Sequence, residues 1–412
     1  MQPARRATVV GGGPAGLYAA EVLAGAGLEV TIFEFRASLG RKFLLAGRGG
    51  LNITHSEPFE TLLSRYGPRT QVLEPALRFF PPQALREWCQ ELDEPTFVGS
   101  SGRVFPESFK ATPLLRAWLR RLASQGVAVR TGHRWTGWAS AQGDAPVTMT
   151  FEANGESVDV GSDVVVLALG GASWPRVSTD GSWVETLTGA GVGVEPLAAA
   201  NCGVQTEWTD TLSERFAGEP LKNIAITVDG VSVRGDAMIT RSGLEGGPVY
   251  AHSSALRSMV ERAGQWTLNI DLQPDIQLDA LFTRLSKARR DKDSAATWLR
   301  RAKLAPAAVA VLRDITANQL PPDPSAMAEL MKAVPVTGPA MMPIDRAISS
   351  AGGVPFDDLD HHFMIKAHPG VFVAGEMLDW EAPTGGYLLQ ACFSSAAWAA
   401  HGALAYLDHQ GR

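Results

Sequence analysis

The pattern of apolar positions begins with a strand, a helix and a second strand. Residues 7–10 (ATVV) and 28–34 (LEVTIFE) are short apolar runs, and residues 14–26 between them form the predicted helix. Two such runs on either side of one helix are typical of a βαβ unit, whose strands are parallel. The pattern therefore predicts a parallel sheet from the first residues onward.

The pattern of apolar and polar positions also divides the rest of the chain into segments. Helices and strands alternate up to residue 192, short alternating stretches then favour antiparallel β structure, and a more charged, helical stretch follows before the α/β pattern returns near residue 345. A nucleotide-binding domain interrupted by a central insertion explains this order. The predicted elements are a helix at 112–125, a strand at 127–132, a hairpin at 147–160, strands at 163–171, 223–230 and 266–272, helices within 275–333, a strand at 371–375 and a helix at 386–407.

Composition narrows the possible classes. The chain of 412 residues is 45% hydrophobic, enough to bury the cores of two or three domains. Its net charge of −6 gives no general attraction to nucleic acid or anionic lipid. The three cysteines are far apart. The sequence shows no apolar leader and no apolar run of the roughly 20 residues that a membrane helix needs. We therefore expect a cytoplasmic protein that does not span a membrane.

The glycines after the first predicted strand indicate a binding site. In the motif Gly11-x-Gly13-x-x-Gly16, the first glycine permits a tight turn, the second lets a pyrophosphate approach the backbone, and the third lets the helix pack closely on the sheet. The helix N-terminus offers free N–H groups to phosphates. Glu34 ends the second strand, where a ribose-binding carboxylate is expected. This order predicts a dinucleotide site, with a merely structural turn as the alternative.

The C-terminal part favours FAD over NAD as the dinucleotide. Residues 370–396 place Gly375-Glu376 at the end of a strand and Gly385-Gly386 at the start of a helix. In large flavoproteins a late glycine and acid hold the ribityl chain, and the next helix N-terminus faces the flavin pyrimidine ring. The alternative is a strand-end turn followed by an ordinary loop. No motif demands a covalent bond, so we expect non-covalent FAD.

Six segments resemble a single family along nearly the whole chain. They are GGGPAGLYAA (11–20), GRKFLLAGRGGLNITHSE (40–57), GRVFPESFKA (102–111), ALGGASWPRVSTDG (168–181), AISSAGGV (347–354) and VFVAGEMLDWEAPTGGYLLQACFSS (371–395). Together they resemble the BaiN/YhiN-like bacterial flavoproteins of the glutathione-reductase-like FAD superfamily. The resemblance implies an α/β fold, in which a Rossmann-type FAD-binding domain (1–192 and 341–412) is interrupted by an antiparallel β-barrel-like domain (193–274) and a small helical domain (275–340).

The resemblance also implies roles for single residues. It places Arg41, Lys42 and Asn52 along the cofactor or beside the flavin, and the backbone of Trp135 against the adenine. Members of the wider family are linked to reductive chemistry, on carbon–carbon double bonds of steroid-like molecules and on uracil in ribosomal RNA. With the motifs above, the predicted cofactor-binding set is Gly11, Gly13, Ala15, Gly16, Glu34, Phe35, Arg41, Lys42, Asn52, Trp135, Gly170, Gly375, Glu376, Gly386, Tyr387 and Leu388.

One position departs from the family pattern. Many relatives carry Cys-Asn where this chain has Leu51-Asn52. A thiol there could donate a proton beside the flavin, whereas a leucine has none to give. Nearby, Arg48 and Asn52 are the predicted catalytic residues, and His55 is a further candidate to bind or protonate a substrate. The alternative is that all three contact phosphates or stabilise the loop by hydrogen bonds.

Further features point to possible partners. Residues 284–303 hold eight Lys or Arg and two Asp, so this basic segment either contacts RNA phosphates or is a solvated helix face. Arg241, in a glycine-rich turn, either faces an anionic substrate or belongs to an interdomain turn. His361, His362 and His368 lack the spacing of metal ligands, and we expect no metal.

We therefore predict an FAD-dependent oxidoreductase. The flavin N5 exchanges hydride with a small-molecule substrate held between the FAD domain and the inserted domains. If NADH or NADPH reduces the flavin, it binds transiently, since the chain has no second GxGxxG motif. Two alternatives remain open: an RNA-modifying flavoenzyme that docks through residues 284–303, and a non-catalytic flavin-binding redox sensor.

Overall fold

The computed structural model describes residues 5–138, 147–177 and 179–411. It divides into two compact units. Unit 1 comprises Met1–Ala198 and Ser349–Arg412, and unit 2 comprises Ala199–Ile348. The finer division into a β-rich domain, 193–274, and a helical domain, 275–340, stays a prediction.

Unit 1 first runs from residue 5 to the insertion. Its strands there are β1 (Arg6–Val10), β2 (Glu29–Glu34), β3 (Thr54–His55), β4 (Thr96–Val98), β5 (Arg103–Pro106), β6 (Ala128–Thr131), β7 (His133–Trp138), β8 (Val147–Ala153), β9 (Glu156–Ser162), β10 (Val164–Leu167) and β11 (Glu195–Ala200). The last two residues of β11 belong to unit 2. Its helices there are α1 (Pro14–Gly25), α2 (Arg41–Ala46), α3 (Phe59–Ser64), α4 (Thr70–Phe79), α5 (Pro82–Glu91), α6 (Ala111–Ser124) and α7 (Trp183–Gly189).

Unit 2 follows, and the chain then returns to unit 1. The strands of unit 2 are β12 (Val204–Gln205), β13 (Pro220–Val228), β14 (Val231–Thr240), β15 (Gly243–Glu245), β16 (Trp266–Asp271), β17 (Val334–Gly338) and β18 (Ala340–Met341). Its helices are α8 (Asp210–Arg215), α9 (Gly247–Ala251), α10 (Ser253–Ala263), α11 (Leu278–Ala288), α12 (Ala295–Arg301), α13 (Pro306–Ile315) and α14 (Pro324–Lys332). The returning elements are β19 (Ser349–Gly353), β20 (Val371–Val373) and α15 (Tyr387–His409).

A parallel sheet forms the centre of unit 1, with the strand order β20-β10-β1-β2-β6. Its inner strands are runs of β-branched residues because both faces are covered. Val9 and Val166 face a hydrophobic cluster formed with α1, α6 and α15. Val165 and Leu167, one residue away, face the opposite cluster, which includes residues of the β7-β8-β9 sheet. This alternation fixes the sheet between two layers.

Unit 2 contains an antiparallel sheet with the order β17-β16-β13-β14-β15-β12-β18. Its two edge strands, β17 and β18, are separated along the chain only by Pro339, so the sheet must curl until its edges meet. Alternate residues of β16 are buried, namely Trp266, Leu268 and Ile270, and they share one hydrophobic cluster with residues of the unit 2 helices. The strands and helices of this unit therefore build a common core.

The predicted α/β fold, with a parallel Rossmann sheet and additional antiparallel strands, is confirmed. The pattern of apolar residues did not reveal β7, which precedes the predicted hairpin and joins its sheet, nor the small β3-β5-β4 sheet. Among the described helices, none is both long enough and apolar enough to cross a bilayer.

Candidate functional site

A cleft opens where the parallel strands of unit 1 end. The residues that follow β1, β2, β10 and β20 all contribute to its wall, and its volume is about 960 Å³ counting the open mouth. The chain leaves β1 to one side for β2 and later reaches β10 on the other side, and such a switch point is where open α/β sheets bind ligands. The predicted residues that line it are Gly11, Gly13, Ala15, Glu34, Phe35, Arg41, Lys42, Trp135, Gly170 and Glu376.

The three motif glycines meet different surroundings. Gly11 has a φ of +109°, and a Cβ there would lie 2.3 Å from the carbonyl oxygen of Ala168, so the turn after β1 requires glycine. A Cβ on Gly16 would lie 1.9 Å from the carbonyl oxygen of Gly11, so α1 can pack this closely on the sheet only because residue 16 has no side chain. A Cβ on Gly13, the N-cap of α1, would meet no protein atom within 4 Å. Gly13 therefore borders open space in the cleft.

Glu34 lies at the end of β2 with both carboxylate oxygens engaged by the backbone. One oxygen accepts the N–H of Gly12 at 2.8 Å, and the other accepts the N–H of Arg36 at 2.8 Å. Burial raises the pKa of Glu34, and these two N–H groups oppose the shift. Each oxygen of an ionised carboxylate can accept a second hydrogen bond. The fixed carboxylate can therefore still receive hydroxyl groups from a ligand.

Two arginines that the sequence interpretation missed lie beside Phe35, the residue that follows Glu34. Arg36 and Arg134 both line the cleft, and their guanidinium carbons lie 4.3 and 4.7 Å from the ring centroid of Phe35. Arg134 also donates to Ser182 at 2.8 Å and to Asp180 at 3.2 Å. The adjacent pair Phe35-Arg36 was visible in the sequence, whereas no local pattern connects Arg134 to it.

An ion pair joins α2 to the turn after β20. The ammonium group of Lys42 donates to Glu376 at 2.6 Å and to the hydroxyl of Ser173 at 2.7 Å. The other carboxylate oxygen of Glu376 accepts the N–H of Ser350 at 2.9 Å. A Cβ on Gly375, whose φ is +78°, would lie 2.7 Å from the Cβ of Ala15. The structure thus brings the predicted ribityl-binding pair against the first turn of α1.

The start of α15 is docked on the segment that contains Asn52. Gly386, its N-cap, has a φ of +95°, and a Cβ there would lie 2.5 Å from the carbonyl group of Thr54. The Thr54 hydroxyl donates to Gln390 at 2.7 Å. Within the described residues, the buried Oδ1 of Asn52 has no hydrogen-bond donor. Such an atom costs about 1–3 kcal/mol, which a donor from a ligand would recover.

Several predicted residues lie outside the wall of the cleft as the described chain forms it. Arg48 is exposed in a short 3₁₀ turn, and Leu51 is 0% exposed in the core. The remaining predicted residues outside the wall are Gly16, Asn52, Gly375, Gly386, Tyr387 and Leu388. The cleft wall also includes Cys392, whose pKa burial raises to about 12, so its thiol stays protonated.

Both ring nitrogens of His55 are engaged by the backbone. Nδ1 accepts the N–H of Glu57 at 3.2 Å, which leaves the proton on Nε2, and Nε2 donates to the carbonyl oxygen of Ser101 at 3.1 Å. The imidazole also stacks on the ring of Tyr387, with centroids 5.3 Å apart. These contacts favour the alternative in which His55 stabilises the loop.

The donors and acceptors of unit 1 fit FAD. The open space at Gly13 lies at the N-terminus of α1, where free N–H groups attract phosphate. Glu34 has acceptor capacity left for ribose hydroxyls, and Glu376 is held beside the same cleft by Lys42. The Oδ1 of Asn52 needs a donor. These features meet the separate needs of the pyrophosphate, the ribose and the flavin end of a dinucleotide.

Some basic side chains of segment 284–303 make contacts with other residues of unit 2. Arg301 pairs with Asp293, Arg284 donates to Gln273 at 3.3 Å, and Arg289 lies over Trp298 at 4.4 Å. The remaining basic residues of segment 284–303 are exposed: Lys287, Arg290, Lys292, Arg300 and Lys303. Over residues 5–138, 147–177 and 179–411, no three His, Cys, Asp or Glu side chains are grouped to hold a metal ion.

Comparison with known proteins agrees with this geometry. Residues 5–402 match the family described as HI0933-like protein Rossmann domain. The chain belongs to this family. It is 24% identical over 406 residues to a 3-dehydro-bile acid delta(4,6)-reductase of Clostridium scindens, a match that covers 93% of this chain and 95% of that protein.

Solved structures share the fold at low identity. A 3-ketosteroid delta1-dehydrogenase from Sterolibacterium denitrificans superposes with a TM-score of 0.56 at 12% identity, over 97% of this chain and 99% of that one. A flavocytochrome c3 fumarate reductase gives 0.54 at 13% identity, over 98% and 79% of the two chains. The resemblance to the BaiN-like family is confirmed. The predicted class, FAD-dependent oxidoreduction, is confirmed at that level, without a substrate.

Proposed function

We propose that this chain binds FAD non-covalently in the cleft of unit 1 and transfers hydride from the reduced flavin to an activated carbon–carbon double bond of a small organic molecule, which takes up a proton from water to complete the reduction. The observation that carries the proposal is the cleft itself, whose wall contains Gly13, with open space where a Cβ would be, together with the carboxylates of Glu34 and Glu376. The named activity of the relative from C. scindens supports the choice of reaction.

Each group of the cleft has a distinct task in this proposal. The N-terminus of α1 and the backbone of Gly13 bind the pyrophosphate, and Glu34 accepts the ribose hydroxyls. Lys42 holds Glu376 in place for the ribityl chain, and the Oδ1 of Asn52 accepts a donor at the flavin end. FAD supplies a two-electron hydride carrier, while the protein supplies position and electrostatics.

The first experiment identifies the cofactor and its reductant. The purified protein should be yellow, and denaturation should release FAD. Under anaerobic conditions NADH or NADPH should bleach the flavin, and an unsaturated ketone that is a substrate should restore the colour. Release of FMN, or no flavin absorbance after incubation with FAD, would contradict the proposal.

The two alternatives from the sequence give different results in this assay. A redox sensor would keep a flavin that neither nicotinamide nucleotides nor organic substrates turn over. An RNA-modifying enzyme would show RNA binding that weakens steeply with salt. Three of the eight basic side chains in segment 284–303 are engaged by other residues of unit 2 and five are exposed, so the salt dependence of RNA binding is the measurement that tests this alternative. We also propose that this protein is located in the cytoplasm.

A further inference from the structure

A short segment of unit 1 crosses its cleft from one side to the other. It comprises residues 172–177, which follow β10, and we call it the strap. Arg36 donates a side-chain hydrogen bond to the carbonyl oxygen of Pro175. Arg41 donates from Nε to the carbonyl oxygen of Val177 at 2.9 Å. The strap is therefore tied to the part of the chain that follows β2.

The order of the strands decides what the strap passes over. β1 lies between β10 and β2 in the parallel sheet, so a segment that joins the ends of β10 and β2 passes across the end of β1. The glycine loop 11–13 begins at that end and lines the same cleft as Val177 and Arg41. A Cβ on Gly13 would meet no protein atom within 4 Å. The strap therefore leaves open space at the glycine loop.

The strap is anchored at its start and tied along its length by charged side chains. The N–H of Ala172 donates to the buried hydroxyl of Ser350 at 2.9 Å. Gly170, two residues earlier, has a φ of +70°, a conformation that glycine adopts readily. Beyond this anchor, Lys42 donates to the Ser173 hydroxyl at 2.7 Å, in addition to the two arginine contacts. Side-chain ties of this kind can break and re-form while β10 stays paired.

We infer that Arg36 and Arg41 are positioning residues that hold the strap closed across bound FAD and so set the rates at which the cofactor enters and leaves. The inference rests on the proposed function, which places the FAD pyrophosphate at Gly13. A dinucleotide bound there lies between the strap and the glycine loop. The strap therefore has to open before FAD can leave, as a lid does over a bound substrate.

Two rate constants separate this role from that of an ordinary contact with the cofactor. Association and dissociation through a closing segment are both proportional to the fraction of molecules in which the segment is open. Loosening the strap therefore raises both rate constants by the same factor and leaves the dissociation constant unchanged. Loss of a direct contact with FAD raises the dissociation rate constant alone, and loss of a steering positive charge lowers the association rate constant.

The test compares Arg36→Gln with the wild-type protein. The substitution removes the side-chain bond to the strap and keeps the backbone N–H that holds Glu34. We expect both rate constants to rise about tenfold, the effect of one lost charge-assisted hydrogen bond on the opening equilibrium. Transfer of FAD from the holoenzyme to an excess of another FAD-requiring apoenzyme measures dissociation, and quenching of FAD fluorescence on mixing with the apo protein measures association. In 1 M salt, where the Debye length is about 3 Å, the lost charge no longer affects association.

Arg176→Gln is the matched control, because Arg176 is an exposed residue of the strap itself and its replacement removes the same charge. Both of its rate constants should equal those of the wild type. Arg36→Lys keeps a charged donor and should exchange FAD more slowly than Arg36→Gln does.

Unchanged rate constants in Arg36→Gln, or faster dissociation without faster association, would overturn the inference and leave the proposed function intact. A wild-type protein that binds no FAD would instead overturn the proposed function. Should Arg36→Gln fail to fold, Arg41→Gln removes the second arginine contact and decides the question by the same two rate constants.

Discussion

Replacing Gly13 by alanine should separate cofactor binding from folding. The backbone there has a φ of −83° and a ψ of −179°, which any residue adopts, and the new methyl group would meet no protein atom within 4 Å. Alanine is a poorer N-cap than glycine by at most about 1 kcal/mol. In a unit of this size that loss lowers the melting temperature by about 2–4 °C. The apo protein should therefore fold almost normally.

The same methyl group should strongly weaken FAD binding. It would stand between the pyrophosphate and the N–H groups at the start of α1, at the point where Gly13 borders the open cleft. Loss of two charge-assisted hydrogen bonds costs about 3–6 kcal/mol. This free energy corresponds to a rise of about 10²–10⁴ in the dissociation constant.

Thermal unfolding of the apo protein and titration with FAD measure the two effects separately. Gly16→Ala is the contrasting variant, because its Cβ would lie 1.9 Å from the carbonyl oxygen of Gly11 and must displace α1. It should lower the melting temperature of the apo protein far more than Gly13→Ala does. Normal FAD affinity in Gly13→Ala, or a melting temperature as low as that of Gly16→Ala, would refute the reasoning.

Three further predictions concern charged residues. Glu34→Gln should weaken FAD binding at least tenfold; in the wild type, because burial raises the pKa of Glu34, affinity should fall with decreasing pH from a higher pH than for an ordinary glutamate, a dependence absent from the variant. Lys42→Met should lower the free energy of unfolding of the apo protein in urea by about 1–3 kcal/mol, because Glu376 loses its partner, and adding Glu376→Gln should restore most of it. Changing the exposed Arg290 and Arg300 to Gln should leave flavin content and turnover unchanged, and a loss of either would contradict this prediction. Salt-sensitive RNA binding that disappears in this double variant would instead support the RNA-modifying alternative.

The parts that could be predicted from the sequence depend on short stretches of chain. The turn at Gly11, the close approach at Gly16 and the carboxylate at the end of β2 all follow from one strand–helix–strand unit, whose geometry is nearly constant. Gly375 and Glu376 follow from a strand end in the same way. The structure places all of these residues in or next to one cleft.

The remaining contacts depend on which strands become neighbours. Arg134 reaches Phe35 because β6 pairs with β2 and β7 follows it, and no periodic pattern encodes that order. His55 stacks on Tyr387 only because α15, from the far end of the sequence, docks on Thr54. The sequence could not decide between the two roles considered for His55 for the same reason, since the carbonyl group that accepts its hydrogen bond belongs to the loop before β5.

The insertion of unit 2 also affects the order in which the chain can fold during synthesis. β20 and α15 complete the parallel sheet and its covering layer, and they follow an insertion of about 150 residues. At roughly 5–20 residues per second, a ribosome needs on the order of 10–30 s to produce that insertion. Throughout this time β10 is paired with β1 but not yet with β20, and α15 does not yet cover the apolar side of α1. We therefore expect the unfinished sheet of the nascent chain to be prone to aggregation until β20 and α15 have been synthesised.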